Sequence, residues 1–231
     1  MMKTFSLPFG KGTQTVSLDE AHVLYDLHGN PVDAVADEQE AIRQALRHPI
    51  GSAPLKDVVQ AGDTVAIIVS DITRLVHTAQ MLPVIVDELN QAGVRDEQIT
   101  VVTAQGTHRA HRPEEDVIVC GEDMVKRVKV VSHDCRDASQ LTKIGTTTHG
   151  NDVYLDSHVV QADKVILTGA VSFHPMAGFG GGRKAVLPGV ASYETIMRNH
   201  AMALTDTYGG GCNPRCETSL LEDNPLHDDM K

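Results

Sequence analysis

Lys164-Val165-Ile166-Leu167-Thr168-Gly169-Ala170-Val171 runs directly into Ser172-Phe173-His174-Pro175-Met176-Ala177-Gly178-Phe179-Gly180-Gly181-Gly182-Arg183-Lys184. The first eight residues read as a buried strand over 164–171. The thirteen that follow are too rich in glycine to pack as an element. Gly178, Gly180, Gly181 and Gly182 let the backbone come close to a ligand and expose its N–H groups. A glycine loop leaving the carboxyl end of a strand is where open α/β sheets bind ligands. His174 and Lys184 stand at the two ends of this loop. A lysine there serves as a charge, a base or a point of covalent attachment.

Outward from the loop, strands alternate with helices. Strands are expected at 64–70, 98–104 and 129–133. Helices are expected at 37–47, at 81–91 with a stop at Gly93, and at 113–128, which opens with acidic residues that suit its dipole. Two short strands flank Thr146–Asn151 within 141–155, and a helix over 192–204 is capped by Ser192. Residues 4–17 alternate around Gly10-Lys11-Gly12 and predict an N-terminal hairpin. The expected fold is α/β, a doubly wound, mostly parallel, Rossmann-like sheet with that hairpin. The division expected is a cofactor-bearing domain over 1–204, then a linker and the start of a second domain over 205–231. Glu222-Asp223-Asn224-Pro225 reads as a helix opening. The chain stops within its first turn, so a second domain is expected to be missing by truncation.

Composition narrows the function. With 31 acidic against 20 basic residues the formal charge is -11, and no basic run appears, so no nucleic-acid partner is expected. Aromatic residues are 3% and Trp is absent, which also argues against a base-stacking surface. No apolar run reaches the ~18 residues of a membrane span, and Met1–Ser6 carries no signal peptide, so a cytoplasmic protein without a membrane partner is expected. Cys212 and Cys216 have three residues between them, and Cys120 and Cys135 do not supply a matching second pair, so free thiols are favoured over a metal knuckle.

Two earlier strands also end in polar clusters, Ser70-Asp71-Ile72-Thr73-Arg74 and Gln105-Gly106-Thr107-His108-Arg109-Ala110-His111. Asp71, Thr73, Arg74, His108, His174 and Lys184 are therefore expected along one sheet edge. Arg74 offers a planar fork for a carboxylate or phosphate, or else a surface salt bridge with Asp71. His108 suits a general base, or else caps loop backbone. His111 reads as a bystander in a solvent-facing turn. His200 is a ligand or a structural helical histidine. Neither nucleotide signature fits the glycine loop. Counting from Gly178, Arg183 and Ala185 stand where a Walker A loop needs glycine and a hydroxyl, and no ribose-binding acid follows at Rossmann spacing.

Taken together, Ser70-Asp-Ile-Thr-Arg74, Gly106-Thr-His-Arg109, His174 with Gly178–Lys184, Pro188-Gly189 and Asn199-His200 resemble the nickel-pincer lactate racemase family over nearly the whole chain. The resemblance implies a racemase or epimerase of a small 2-hydroxy acid working by hydride transfer. It implies a cofactor, nickel pyridinium-3,5-bisthiocarboxylate mononucleotide, joined to Lys184 by a thioamide, with His200 as the protein's ligand to nickel. His108 and His174 would be the acid/base pair. Asp71, Ile72, Thr73, Arg74 and Pro188 would line the cofactor and substrate, with Arg74 on the substrate carboxylate. Cofactor-building enzymes would be partners, and a homo-oligomer is possible. After Arg74, where the family continues with a proline-containing turn, this chain reads Leu75-Val76-His77, and the resemblance leaves open which 2-hydroxy acid it takes. Two alternatives stand beside it: an inactive nucleotide- or anion-binding domain, and a zinc-dependent hydrolase built on His108, His174 and His200.

Overall fold

A computed structural model describes residues 1–205 and 210–231. The expected glycine run Gly209–Gly211 begins outside the described residues, as does part of the expected 205–231 linker. The chain divides into two units, Met1–Ala36 and Asp37–Lys231. The first holds an antiparallel hairpin of β1 (Met2–Phe9) and β2 (Gly12–Asp19), with Phe9 opposite Gly12 and Gly10 in the left-handed region at the turn. Phe5, Leu7, Phe9 and Val16 share one of its faces.

The second unit begins with α1 (Glu38–Arg47), capped by the Asp37 carboxylate on the Glu40 N–H, and α2 (Leu55–Val58). There follow β3 (Val65–Ser70), α3 (Thr78–Gln91), β4 (Ile99–Ala104), α4 (Pro113–Cys120), α5 (Glu122–Arg127) and β5 (Lys129–Ser132). The hairpin of β6 (Leu141–Thr146) and β7 (Asp152–Asp156) leads through α6 (Ser157–Val160) to β8 (Lys164–Leu167). The remainder comprises β9 (Phe173–His174), β10 (Gly178–Phe179), α7 (Tyr193–Ala201), β11 (Leu204–Thr205), β12 (Gly211–Cys212) and α8 (Pro225–Met230).

The central sheet is parallel, in the order β5-β4-β3-β8. Alternation along β3 explains its unbroken apolar sequence. Val65, Ile67 and Val69 face a core with Leu82, Ile85 and Leu89 of α3 and Val119 of α4, while Ala66 and Ile68 face Val159 and Val190. With both faces covered, every β3 residue from Val65 to Val69 is buried. After β3 the chain steps to β4 and β5 on one side, and β8 lies on the other. The reversal falls between β3 and β8, and a crevice opens there beyond their carboxyl ends.

Three expectations are corrected. The strand at 164–171 ends at Leu167: Thr168 still bonds to the Ile68 carbonyl of β3 through its N–H and its hydroxyl, and the chain leaves the sheet at Gly169 (φ 156°). It is also not buried: β8 closes the sheet as an edge strand, and Val165 and Leu167 are 42% and 40% exposed. The helix expected over 113–128 is two helices, broken at Gly121 with φ 92°, a left-handed conformation open to glycine. The helix expected over 192–204, α7, keeps its Ser192 cap on the Thr195 N–H but ends at Ala201.

Two buried polar clusters hold the frame around the crevice. His133, after β5, faces Asp156 of β7 through Nδ1 (3.0 Å) and the Ala191 carbonyl through Nε2 (3.0 Å). Asp156 also accepts from the His158 N–H. At the other end, Asp229 of α8 accepts from Thr147 Oγ1 and from the side-chain amides of Asn151 and Asn199. The second cluster fixes α7 one residue before His200.

Candidate active site

The crevice has a volume of about 910 Å³, and the loops after β3, β4 and β8 form its rim. Arg74, His108, His174, Lys184, Pro188 and His200 all line it, as does Asp71. Ile72 and Thr73 do not. The Ile72 side chain packs on the α3 core, and the Thr73 hydroxyl donates to Asp71 Oδ1 at 2.7 Å.

Asp71 is 3% exposed, and both its oxygens are engaged. Oδ1 accepts from Thr73, and Oδ2 lies 2.6 Å from His108 Nδ1. A carboxylate on Nδ1 puts the ring proton there and leaves the Nε2 lone pair of His108 free. Asp71 is thus a positioning residue for His108, and Arg74 has no ion-pair partner among the described residues. His111 is corrected from a solvent-facing bystander. Its side chain is fully buried, accepting the Ile72 N–H on Nε2 at 2.9 Å and meeting Asp116 through Nδ1. It holds the 70–74 loop in place. The sequence did not reveal this, because its only sign is the direction in which a side chain turns.

His174 stands in the opposite hydrogen-bonding state. β9 and β10 pair, and their turn brings the Met176 and Ala177 N–H groups to His174 Nδ1 at 3.2 and 3.0 Å. Its Nε2 lies 3.2 Å from Lys184 Nζ. Burial, reinforced by the Lys184 and Arg74 charges, lowers His174 to about 4. Burial, with Arg74 and Arg183 alongside, lowers Lys184 to about 8. Pro188 follows a cis peptide bond, and Gly189 beside it packs so tightly that an added Cβ would fall 2.1 Å from the Ala185 carbonyl oxygen. The Gly189 carbonyl accepts the Gly106 N–H at 2.8 Å, which joins this turn to the His108 loop.

His200 sits on α7 with Nδ1 bonded to the Ile196 carbonyl at 3.0 Å, so Nε2 keeps its lone pair. Burial lowers His200, and the Lys184 charge adds to it. A neutral imidazole fixed through its other nitrogen is a ready ligand for a soft or borderline metal. Among the described residues no three His, Cys, Asp or Glu side chains gather as a metal-binding group, which leaves the zinc hydrolase alternative without a ligand set. One protein nitrogen, an adjacent buried lysine and flanking cations instead fit a metal that brings most of its own ligands. Gln105 also reaches the crevice, with its Nε2 on Ser132 and its buried Oε1 unpaired. All four cysteines are free thiols, and Cys212 alone is exposed. No helix among the described residues is long and apolar enough to cross a membrane.

Residues 9–210 match the family model for the lactate racemase N-terminal domain. The chain is 31% identical to the lactate racemase of Thermoanaerobacterium thermosaccharolyticum and 34% identical to that of Lactiplantibacillus plantarum. Each alignment takes in 99% of this chain and 53% of the relative, so the chain spans about half the length of these relatives. The solved apoprotein of the Thermoanaerobacterium enzyme superposes with a TM-score of 0.83 over 99% of this chain and 52% of that one. A Thermotoga maritima protein, 21% identical with a TM-score of 0.58 over 89% of this chain, shares the fold.

Proposed function

The chain belongs to the lactate racemase family, whose N-terminal domain it matches, and from that premise we propose that it is the cofactor-bearing part of a racemase or epimerase of a small 2-hydroxy acid. The observation that carries the reading is the pair of histidines held in opposite states on one crevice, His108 with a free Nε2 lone pair and His174 with its Nδ1 lone pair tied down. A reaction on two faces of one carbon needs one group that takes a proton and one that gives it. His108, backed by Asp71, takes the hydroxyl proton. His174 gives its Nε2 proton to the new alkoxide after the flat keto acid has turned, and the proton that His108 took restores Nε2–H, so the pair ends as it began. Arg74, free of any carboxylate partner among the described residues, grips the substrate carboxylate in a bidentate fork.

The group proposed here is the nickel-pincer nucleotide, which when bound supplies a hydride acceptor and so avoids a second negative charge beside the carboxylate. Lys184 would hold it covalently, His200 would ligate its metal through Nε2, and Pro188 would line it. The backbone of the Asp71–Arg74 turn borders the same space. Keeping water from the keto acid falls to whatever closes the crevice, and we assign that to chain equivalent to the unmatched half of the relatives. Cofactor-building enzymes are the partners this reading requires.

A second reading draws on the unpaired guanidinium. Arg74 lines the crevice with no carboxylate partner among the described residues, and that suffices to bind an anion without turnover. Intact mass and metal analysis separate the two, on protein made alongside the cofactor-building enzymes. A mass increase mapping to Lys184 with one nickel per chain supports the racemase reading. An unmodified, nickel-free chain supports the anion-binding one.

A further inference from the structure

We propose that Lys184 is a pre-activated nucleophile, held by His174 as a neutral amine in the metal-free protein and open to acylation by an activated carboxyl or thiocarboxyl group. This rests on the reading of Lys184 as the attachment point and supplies the chemistry of attachment. The argument is a proton count. The Met176 and Ala177 N–H groups can only donate, so His174 Nδ1 must present its lone pair to them. A neutral imidazole has one ring proton, and it therefore sits on Nε2. That nitrogen lies 3.2 Å from Lys184 Nζ. An ammonium has three donors and no acceptor and would set proton against proton. A neutral amine has the lone pair that receives Nε2–H.

The surroundings act in the same direction. Lys184 is 8% exposed, and among the described residues no carboxylate pairs with it. Arg74 from the β3 loop and Arg183 from its own turn both disfavour a further positive charge. Asp71, the one acid among the described residues that line the crevice, is committed to His108. Because the two N–H groups belong to the β9–β10 turn, the lock lies in the backbone and survives changes in side chains around it.

In the step itself the Nζ lone pair attacks the carboxyl carbon. The C–N bond forms, the bond to the leaving group breaks with its electron pair, and a proton from Nζ leaves with that group or passes to water. From a thiocarboxyl group activated through its oxygen, that oxygen departs with the activating group and a thioamide remains, with no change of oxidation state.

The test uses limiting acetic anhydride on the unloaded full chain at pH 7.5, read by peptide mass spectrometry. Lys184 is expected to acetylate about tenfold faster than the exposed Lys11 and Lys56, the gain from a larger neutral fraction less the loss from lower basicity. Labelling no faster than those lysines overturns the proposal. On the same protein, nitrogen NMR of the imidazoles must find the His174 proton on Nε2, and a proton on Nδ1 or an imidazolium overturns it too. In His174→Gln the advantage of Lys184 falls several-fold, provided circular dichroism shows the fold kept. An adduct mapping to another residue in cofactor-loaded protein would sink the attachment reading alone and leave the labelling result standing.

Discussion

At the scale of single residues, the two histidines differ in what stands behind them. Asp71→Asn puts an amide where His108 Nδ1 now finds a carboxylate 2.6 Å away. The ring proton is expected to move to Nε2 and the free lone pair to be lost. In cofactor-loaded enzyme this lowers kcat by about 10²–10⁴-fold with little change in KM, and nitrogen NMR of His108 reports the tautomer without any turnover. Most of the crevice was legible in the sequence, because Arg74, His108, His174 and Lys184 all follow strand ends or sit in the glycine loop, and strand ends share an edge. What orients them was not. His111, Gln105 and the commitment of Asp71 to His108 depend on side-chain direction, which no spacing encodes. Ile72 and Thr73 are expected in the crevice from the resemblance, but they are the central residues of a tight turn that the Arg74 N–H closes on the Asp71 carbonyl, and their side chains go to the α3 core and to Asp71 Oδ1.

At the scale of elements, β3 and β4 were readable because a strand covered on both faces is apolar throughout. β8 has the same composition and yet lies at the edge, since an apolar run does not say how many neighbours a strand has. The 113–128 helix was misjudged because Gly121 interrupts a run whose acidic start and apolar middle otherwise suit one helix. Two elements of the frame invite tests. Burial works to raise Asp156, but hydrogen bonds from His133 and His158 outweigh it and hold its carboxyl below the ordinary value. A depressed folded value means this contribution is full above the unfolded carboxylate pKa of about 4 and is lost as pH falls through the folded one. Urea unfolding from pH 7 to pH 2 is expected to show wild type weakening below about pH 4. Asp156→Asn starts about 3 kcal/mol less stable at pH 7 and weakens less in acid. Gly189→Ala drives a Cβ into the Ala185 carbonyl, 2.1 Å away before relaxation. The Pro188–Gly189 turn must shift, and thermal unfolding is expected to fall by several degrees, for a cost of about 1–3 kcal/mol.

At the scale of the whole molecule, a chain of formal charge -11 places an unpaired guanidinium, that of Arg74, at one crevice. Small anions should feel a local attraction that the net charge hides. Calorimetric titration with a 2-hydroxy acid anion is expected to show binding that weakens as salt rises from about 0.05 to 0.5 M, over which the Debye length falls severalfold. Arg74→Gln is expected to weaken it by about tenfold or more at fixed salt, the loss of a charge-assisted bond. The sheet's last strand has a more practical consequence. Among the described residues β8 bonds only to β3, and Ile144, Val165 and Leu167 leave its flank greasy. A rim of that kind is a template for clumping, so shelf life in concentrated stocks should be set there. Leu167→Lys is expected to raise the concentration at which light scattering first appears, with the crevice chemistry untouched.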